Sequence, residues 1–479
     1  MEKLITEEHA NNLPTVRIKK IVLKNFKSVG YGEIVFNCGR QFIPYNTESD
    51  ILGIYGQNGS GKTSLIEALS ILQYLMAGVA VPSAYADCVA MGKEFAELEF
   101  VFDLQYENGI IREAEYSFCL SRQKLSDDEL HEKYKDAPED FEVPDEDWKV
   151  VVFNEKFSLI WENASKRQII IDTSSKESAF IPTTKRKEIA GNGKKTLVFL
   201  EVNKQLAYGK SCSFIFMMET LQLFEKNNNQ SLFFQVLVEL RLFARNYLFV
   251  VDTKSSGFIR LNFALPIYTT TGQFMFDVRR PATIDNKDLE DLHGDIDKIS
   301  SVLTQLVPGL SIRIKNISQT LNKNGDAATI AMLVADRDGN ELPLRDESDG
   351  VRKIISVLSL IIAAFNEQSV TVAIDEFDAG IFEYLLGEIL QAMEESGKGQ
   401  FIFTSHNLRP LEVINKKFLY FTTTNSQNRY IKLKNIAITN NLRDTYFREI
   451  ILCEQEEEIY NKTKKYKIIA ALKKAGGLR

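Results

Sequence analysis

The sequence predicts an α/β fold: a mixed sheet with helices packed on it, an antiparallel β lobe inserted after the first helix, and a helical subdomain. Two observations carry this. A glycine-rich octet lies between an apolar run and a helix, because ILGIYG opens into GQNGSGKTSLIEALSILQYL, where Leu65, Ile66, Leu69, Leu72 and Leu75 recur at helical spacing. Two further apolar runs, SVTVAIDEFD and GQFIFTSHN, end in charged or polar residues.

The elements follow in order. VRIKKIVLKNFKSV (16–29) has the β-branched and apolar content of a strand, and a second strand is expected at Glu33–Asn37. From Phe95 to about Phe180 strand-like runs alternate with turn signals at Glu107-Asn108-Gly109 and 163–165 (Asn-Ala-Ser). Residues 126–147, rich in Asp and Glu, read as an exposed acidic loop. Residues 212–247 read as two helices joined at Lys226–Asn229. An amphipathic helix at 285–306 is stopped by Pro308 and Gly309. No sustained heptad pattern predicts a coiled-coil arm. After Tyr430 come a strand-like IKLKN and a helical stretch in which Glu454–Glu458 precede six lysines. That stretch is either a solvated helix with internal acid–base pairs or a basic surface for nucleic acid or an acidic partner.

Composition narrows the class. In 479 residues, 44% hydrophobic and 26% charged content is that of an ordinary globular protein, and a formal charge of −7 argues against wholesale nucleic-acid binding. The five cysteines are scattered without a CxxC pair, which fits a reduced, cytoplasmic protein and neither a disulfide framework nor a zinc site. No signal peptide and no transmembrane helix are expected.

The chemistry concentrates in four segments. Gly56-Gln57-Asn58-Gly59-Ser60-Gly61-Lys62-Thr63 matches GxxxxGK[ST] in full, and Ser64 follows it into the helix. Glycines let successive N–H groups wrap phosphates, Lys62 reaches the β and γ phosphates, and Thr63 offers a hydroxyl to Mg²⁺. The octet, in this strand–loop–helix setting, predicts ATP binding. Asp375 and Glu376 close an apolar strand, where paired carboxylates cost desolvation and repulsion unless a cation uses them. Asp375 is expected to hold Mg²⁺ and Glu376 to polarise the attacking water. His406, after the strand GQFIFTS, is expected beside that carboxylate strand as a phosphate sensor. Ser348 and Gly350 precede a strongly apolar helix: Ser348 is a good N-cap, or the pair presents hydroxyl and N–H groups to a second subunit's nucleotide.

Together KKIVLKNFKS, GQNGSGKTSLIEAL, ESDGVR, IDEFD and TSH resemble the heads of ABC-type ATPases. They are similar to the structural-maintenance-of-chromosomes (SMC) and RecF branch, and most to the AbiLi-like AAA ATPases of bacterial abortive-infection phage defence. The resemblance covers about 16–428. It implies a P-loop NTPase head over 1–440, with a β lobe about 95–205, a helical subdomain about 206–310 and a signature and Walker B half about 340–430. Residues 441–479 then form a helical tail. It also implies that Ser348 and Gly350 belong to a signature motif acting in trans, Asp378 to the D-loop and His406 to the switch. The implied activity is ATP hydrolysis in a homodimer or higher homo-oligomer, with a nuclease or toxin on another chain as effector; a RecF-like DNA-repair clamp is the alternative. Nucleic acid stays open as a partner, and no membrane is implied. The segment departs from LSGGQ by carrying Asp349, and no Q-loop glutamine is assigned. Phe26 and Lys27 lie where related heads approach the nucleotide, but read as a buried Phe and a solvated Lys.

Overall fold

Short strands with almost no charge form the centre of the fold. β3 (Asp50–Tyr55), β8 (Leu248–Val251), β15 (Thr371–Ile374), β16 (Gln400–Thr404) and β17 (Leu419–Thr422) lie parallel in the order β17-β3-β16-β15-β8. β18 (Tyr430–Ile431) closes the β17 edge antiparallel. Strands covered on both faces have no solvent side, so they read as continuous apolar runs instead of alternating ones. The register sets Ile374 beside both Phe403 and Val251, so β15, β16 and β8 end level. The histidine-bearing strand thus lies beside the carboxylate strand, as expected, and between it and β3. The computed structural model describes residues 13–36, 50–135, 146–160, 167–174, 194–228, 231–252, 264–269, 272–277, 280–337, 339–434, 442–452 and 455–476.

A second sheet is antiparallel, in the order β2-β1-β4-β5-β6-β7. Its strands are β1 (Thr15–Phe26), β2 (Val29–Val35), β4 (Ala96–Gln105), β5 (Ile111–Lys124), β6 (Trp148–Ile160) and β7 (Gln168–Asp172). The lobe after the first helix therefore also takes in β1 and β2, which precede the glycine loop. Helix α1 (Lys62–Ala77) shares one core with both sheets, so every residue except Thr63 is buried. A single apolar stripe was expected there. The second sheet covers the other face, which explains the low polarity of TSLIEALSILQYLMA.

The chain continues through α2 (Asp127–Tyr134), α3 (Lys194–Gly209), α4 (Met218–Asn228) and α5 (Leu232–Asn246) to the edge strand β8. β9 (Ala264–Thr269) pairs with β10 (Gly272–Asp277). β11 (Ala282–Asp285), β12 (Leu310–Leu321), β13 (Ala327–Arg337) and β14 (Asn340–Pro343) make a third antiparallel sheet, covered by α6 (Asn286–Leu306). Beyond it lie α7 (Asp349–Asn366), α8 (Glu383–Ser396), α9 (Leu442–Leu452) and α10 (Lys465–Ala475).

Two expectations need correction. The acidic segment begins as a helix, because Ser126 and Glu129 form a capping box and three acids occupy the first turn of α2; its residues 136–145 lie outside the described residues. The tail is not one helix with internal acid–base pairs. Residues 455–464 are non-helical and strap the β17–β18 turn: Glu457 accepts from Asn425 and Asn428 at 3.1 Å, and Thr424 donates its N–H to the Glu458 carbonyl at 2.7 Å. The lysines that were to pair with these acids lie partly on α10, which buries no residue. No described helix is long and apolar enough to cross a membrane.

Candidate active site

The glycine loop leaves β3 with Gly56 at φ 153°, and a Cβ there would stand 1.7 Å from the Thr422 hydroxyl of β17. Glycine is required by that approach. The Ser60 hydroxyl meets both the Gln57 carbonyl and Thr422 Oγ1, at 2.5 Å each, and the Tyr430 hydroxyl donates to the Gly61 carbonyl at 2.7 Å. The loop is thus braced from β17 and β18. Gln57 faces the tail, its Oε1 accepting from the Asn461 N–H at 3.0 Å. Lys62 folds back over the loop, donating to the carbonyls of Gly56 at 2.8 Å and Gln57 at 3.1 Å. Burial lowers its pKa, against the opposing pull of Asp375, Glu376 and Asp378.

Opposite the loop stand the ends of β15 and β16. Asp375 is buried and accepts from the Thr404 hydroxyl at 2.5 Å, and Thr404 Oγ1 in turn accepts from the Glu376 N–H at 2.8 Å. Glu376 is exposed and adopts a left-handed backbone, φ 47°, which costs a non-glycine residue about 1–3 kcal/mol unless its surroundings hold it. Asp378 accepts from the N–H groups of His406 and Asn407 at 3.1 and 3.0 Å, tying the loop after β15 to the loop after β16.

These parts line one cleft of about 780 Å³, where Asn58, Gly59, Gly61, Lys62, Thr63 and Ser64 face Asp375, Glu376, Asp378 and His406. The arrangement fits Mg²⁺ with a nucleotide. Thr63 and the buried Asp375 offer oxygens to a hard cation, and no described cluster of three or more His, Cys, Asp or Glu forms an all-protein cage. Magnesium is ordinarily held by one or two carboxylates together with substrate phosphates and water.

A family model described as "AAA ATPase domain" matches residues 17–409. The chain belongs to this family. No curated protein matches it in sequence. Among solved structures, this ATPase is similar to the SMC head domain from Thermotoga maritima, at 13% identity and TM-score 0.35, over 88% of this chain and 100% of that one. An Smc head domain with a coiled coil and joint from Pyrococcus yayanosii matches at 11% identity and TM-score 0.39, over 91% and 99%. The recombination mediator protein RecF with ATP matches at 9% identity and TM-score 0.30, over 82% and 92%.

The cleft of the ATPase does not gather every predicted residue. Gly56, Gln57 and Ser60 do not line it: the Gln57 side chain meets Asn461 and Ser60 meets Thr422. Ser348 and Gly350 are not among its lining: Ser348 is exposed and N-caps α7, accepting from the Val351 N–H at 3.3 Å. A Cβ on Gly350 would lie 2.6 Å from the Gly380 carbonyl, so this glycine also serves a close approach within its own chain. Lys27 is corrected. It lines the cleft and pairs with the buried Glu67 at 2.6 Å, where a solvated lysine was expected. Thr404 and Lys353 escaped sequence reasoning. Thr404 carried no signal beyond its neighbours Ser405 and His406; Lys353 carried one, a lysine that opens directly into the apolar run IISVLSLIIAAF.

Proposed function

We propose that the protein hydrolyses ATP with Mg²⁺ in this cleft, in an oligomer where a second copy lends Ser348 and Gly350 to the site. The observation that carries the reading is the meeting of Lys62 and Thr63 with Asp375, Glu376 and His406 around one cavity. Bound Mg·ATP supplies the scissile phosphoanhydride bond and a divalent charge beside it. Lys62 exchanges the carbonyls of Gly56 and Gln57 for phosphate oxygens, and the loop N–H groups add to its field. Thr63 and Asp375 would hold the metal. Glu376 would take a proton from water as the water oxygen bonds to the γ-phosphorus and the bond to the departing ADP oxygen breaks, and His406 would donate a hydrogen bond to the γ-phosphate. Asp378 keeps the His406 loop in reach.

Titration of purified Lys62→Ala with Mg·ATP tests the site. Binding should be lost; unchanged affinity would remove Lys62 from the phosphates and end the reading.

For the biological setting we favour an ATP-driven sensor or regulator of a separate effector, a nuclease or toxin, in anti-phage defence. It rests on the motif resemblance and on the net charge of −7, which disfavours constitutive DNA binding. A RecF-like clamp on duplex DNA is the competing setting. Duplex affinity falling steeply with salt in the isolated protein would favour the clamp.

A further inference from the structure

Glu376 has an unusual backbone, and both its peptide groups are gripped. Asn25, Lys27, Asn154 and Ser211 are the other non-glycine residues with positive φ among the described residues. The Glu376 N–H donates to Thr404 Oγ1, and its carbonyl accepts from Lys353 Nζ at 2.5 Å and from the Ala379 N–H at 3.0 Å. The Ala379 contact is an ordinary local turn. The Lys353 contact comes from another element, one turn into α7.

Lys353 is only 8% exposed, next to Ile354 and Ile355 in a helix that buries aliphatic side chains. A buried ammonium loses hydration, and a leucine or methionine would fill the space without that loss. Burial accordingly lowers the Lys353 pKa, opposed by the fields of Asp378, Glu376 and Asp375. Packing alone gives no reason for a lysine here; the carbonyl it holds does.

We propose that Lys353 is a positioning residue for hydrolysis, holding the Glu376 carbonyl so that the left-handed backbone keeps the Glu376 carboxylate in the cleft. An L-residue left to itself leaves this region for the extended or right-handed basins. Rotation about φ would redirect Cβ and move the carboxylate away from the water it must activate. Thr404 holds the N–H side and Lys353 the carbonyl side. Gly350, packed on Gly380 three residues earlier in α7, fixes the helix against the same loop. The inference rests on Glu376 being the base.

The test uses the full chain with Lys353→Met, Lys353→Gln, Glu376→Gln and the Lys353→Met/Glu376→Gln double variant. For each, kcat and KM for ATP, ATP affinity and the melting temperature are measured. Lys353→Met should lower kcat by about 10–100-fold, the scale of misplacing a reacting group, while KM and affinity stay within about three-fold. Lys353→Gln, which keeps a donor, should lie between Met and wild type. In the Glu376→Gln background, Lys353→Met should remove no further activity, because the residue it positions is already gone. A kcat for Lys353→Met within about two-fold of wild type, or losses that multiply in the double variant, overturns the proposal. If Lys353→Met does not fold, Lys353→Gln decides: kcat lowered at constant KM supports the proposal, and wild-type kcat overturns it. Normal hydrolysis by Glu376→Gln alone would instead sink the base assignment, separately from any result at Lys353.

Discussion

The two large sheets use their charges in opposite ways. In the antiparallel sheet they sit along the strands and pair across them: Lys19 with Asp103 and Glu113 at 3.2 and 2.6 Å, Lys20 with Glu99 and Lys24 with Glu97 at 2.7 Å each, and Arg167 with Glu113 and Glu115. In the parallel sheet the strands carry almost none, and charge gathers past their C-terminal ends, where Asp375, Glu376 and Asp378 face Lys62 across a cavity. Charges paired in place neutralise one another and contribute to a surface. Like charges collected at one edge, facing a lysine across a cavity, suit a bound cation and phosphates. The contrast supports placing the proposed chemistry at the parallel sheet and leaves solvated ion pairs to the antiparallel one.

The largest effect should therefore come from the parallel sheet. Glu376→Gln keeps the shape and removes the proposed base, so hydrolysis should fall roughly 10²–10⁴-fold while ATP still binds. Turnover assays beside nucleotide titration would show it, and intact turnover would erase the distinction between the sheets at its strongest point. Next comes Ser348→Arg. It should block hydrolysis and the ATP-dependent association expected of the Glu376→Gln protein by light scattering, yet leave binding at Lys62 nearly intact. Normal hydrolysis by this variant would leave Ser348 as the helix cap it structurally is.

Effects in the antiparallel sheet should be smaller and confined to stability. Glu113→Gln loosens its contacts with Lys19 and Arg167, and partly exposed pairs of this kind are worth about 0.2–1 kcal/mol. Chemical denaturation should register that loss with kcat unchanged; a lowered kcat would mean that this sheet reaches the chemistry after all. The last prediction concerns pH dependence, at Glu239 on α5. Burial pushes the Glu239 carboxyl up to about 7, with Tyr106 and Arg112 pulling the other way. The folded state then holds this proton more tightly than the unfolded chain, so stability falls as pH rises from the ordinary carboxylate range to about 7 and is level above it. Melting curves of wild type and Glu239→Gln across that window should differ in slope; parallel curves would show that Glu239 ionises as an ordinary carboxylate.

The sequence was most legible where a pattern was local. The glycine octet, the runs ending in Asp375-Glu376 and Ser405-His406, and the helices near 212–247 and 285–306 each carry their signal within a few turns of chain. Legibility failed where partners are distant. LFVV at 248–251 is too short to announce an edge strand of the parallel sheet, and its assignment depends on β15 lying beside it. Lys27 read as solvated because Glu67, its partner, is 40 residues away. In the tail a run of Glu followed by a run of Lys suggested helical pairs, whereas Glu457 finds the turn at Asn425 and Asn428. Residues 163–165, read as a turn, lie outside the described residues.

The braces of the glycine loop bear on how the protein is made. Thr422 and Tyr430 grip Ser60 and Gly61 from 362 and 369 residues downstream. On a ribosome adding about 5–20 residues per second, the loop waits on the order of 20–70 s for the residues that steady it. The antiparallel strands β4, β5 and β6 emerge far sooner and can pair with β1 in the meantime. The nucleotide pocket is consequently among the last features of the chain to mature, so a nascent protein can carry a well-formed lobe before it can hold its ligand.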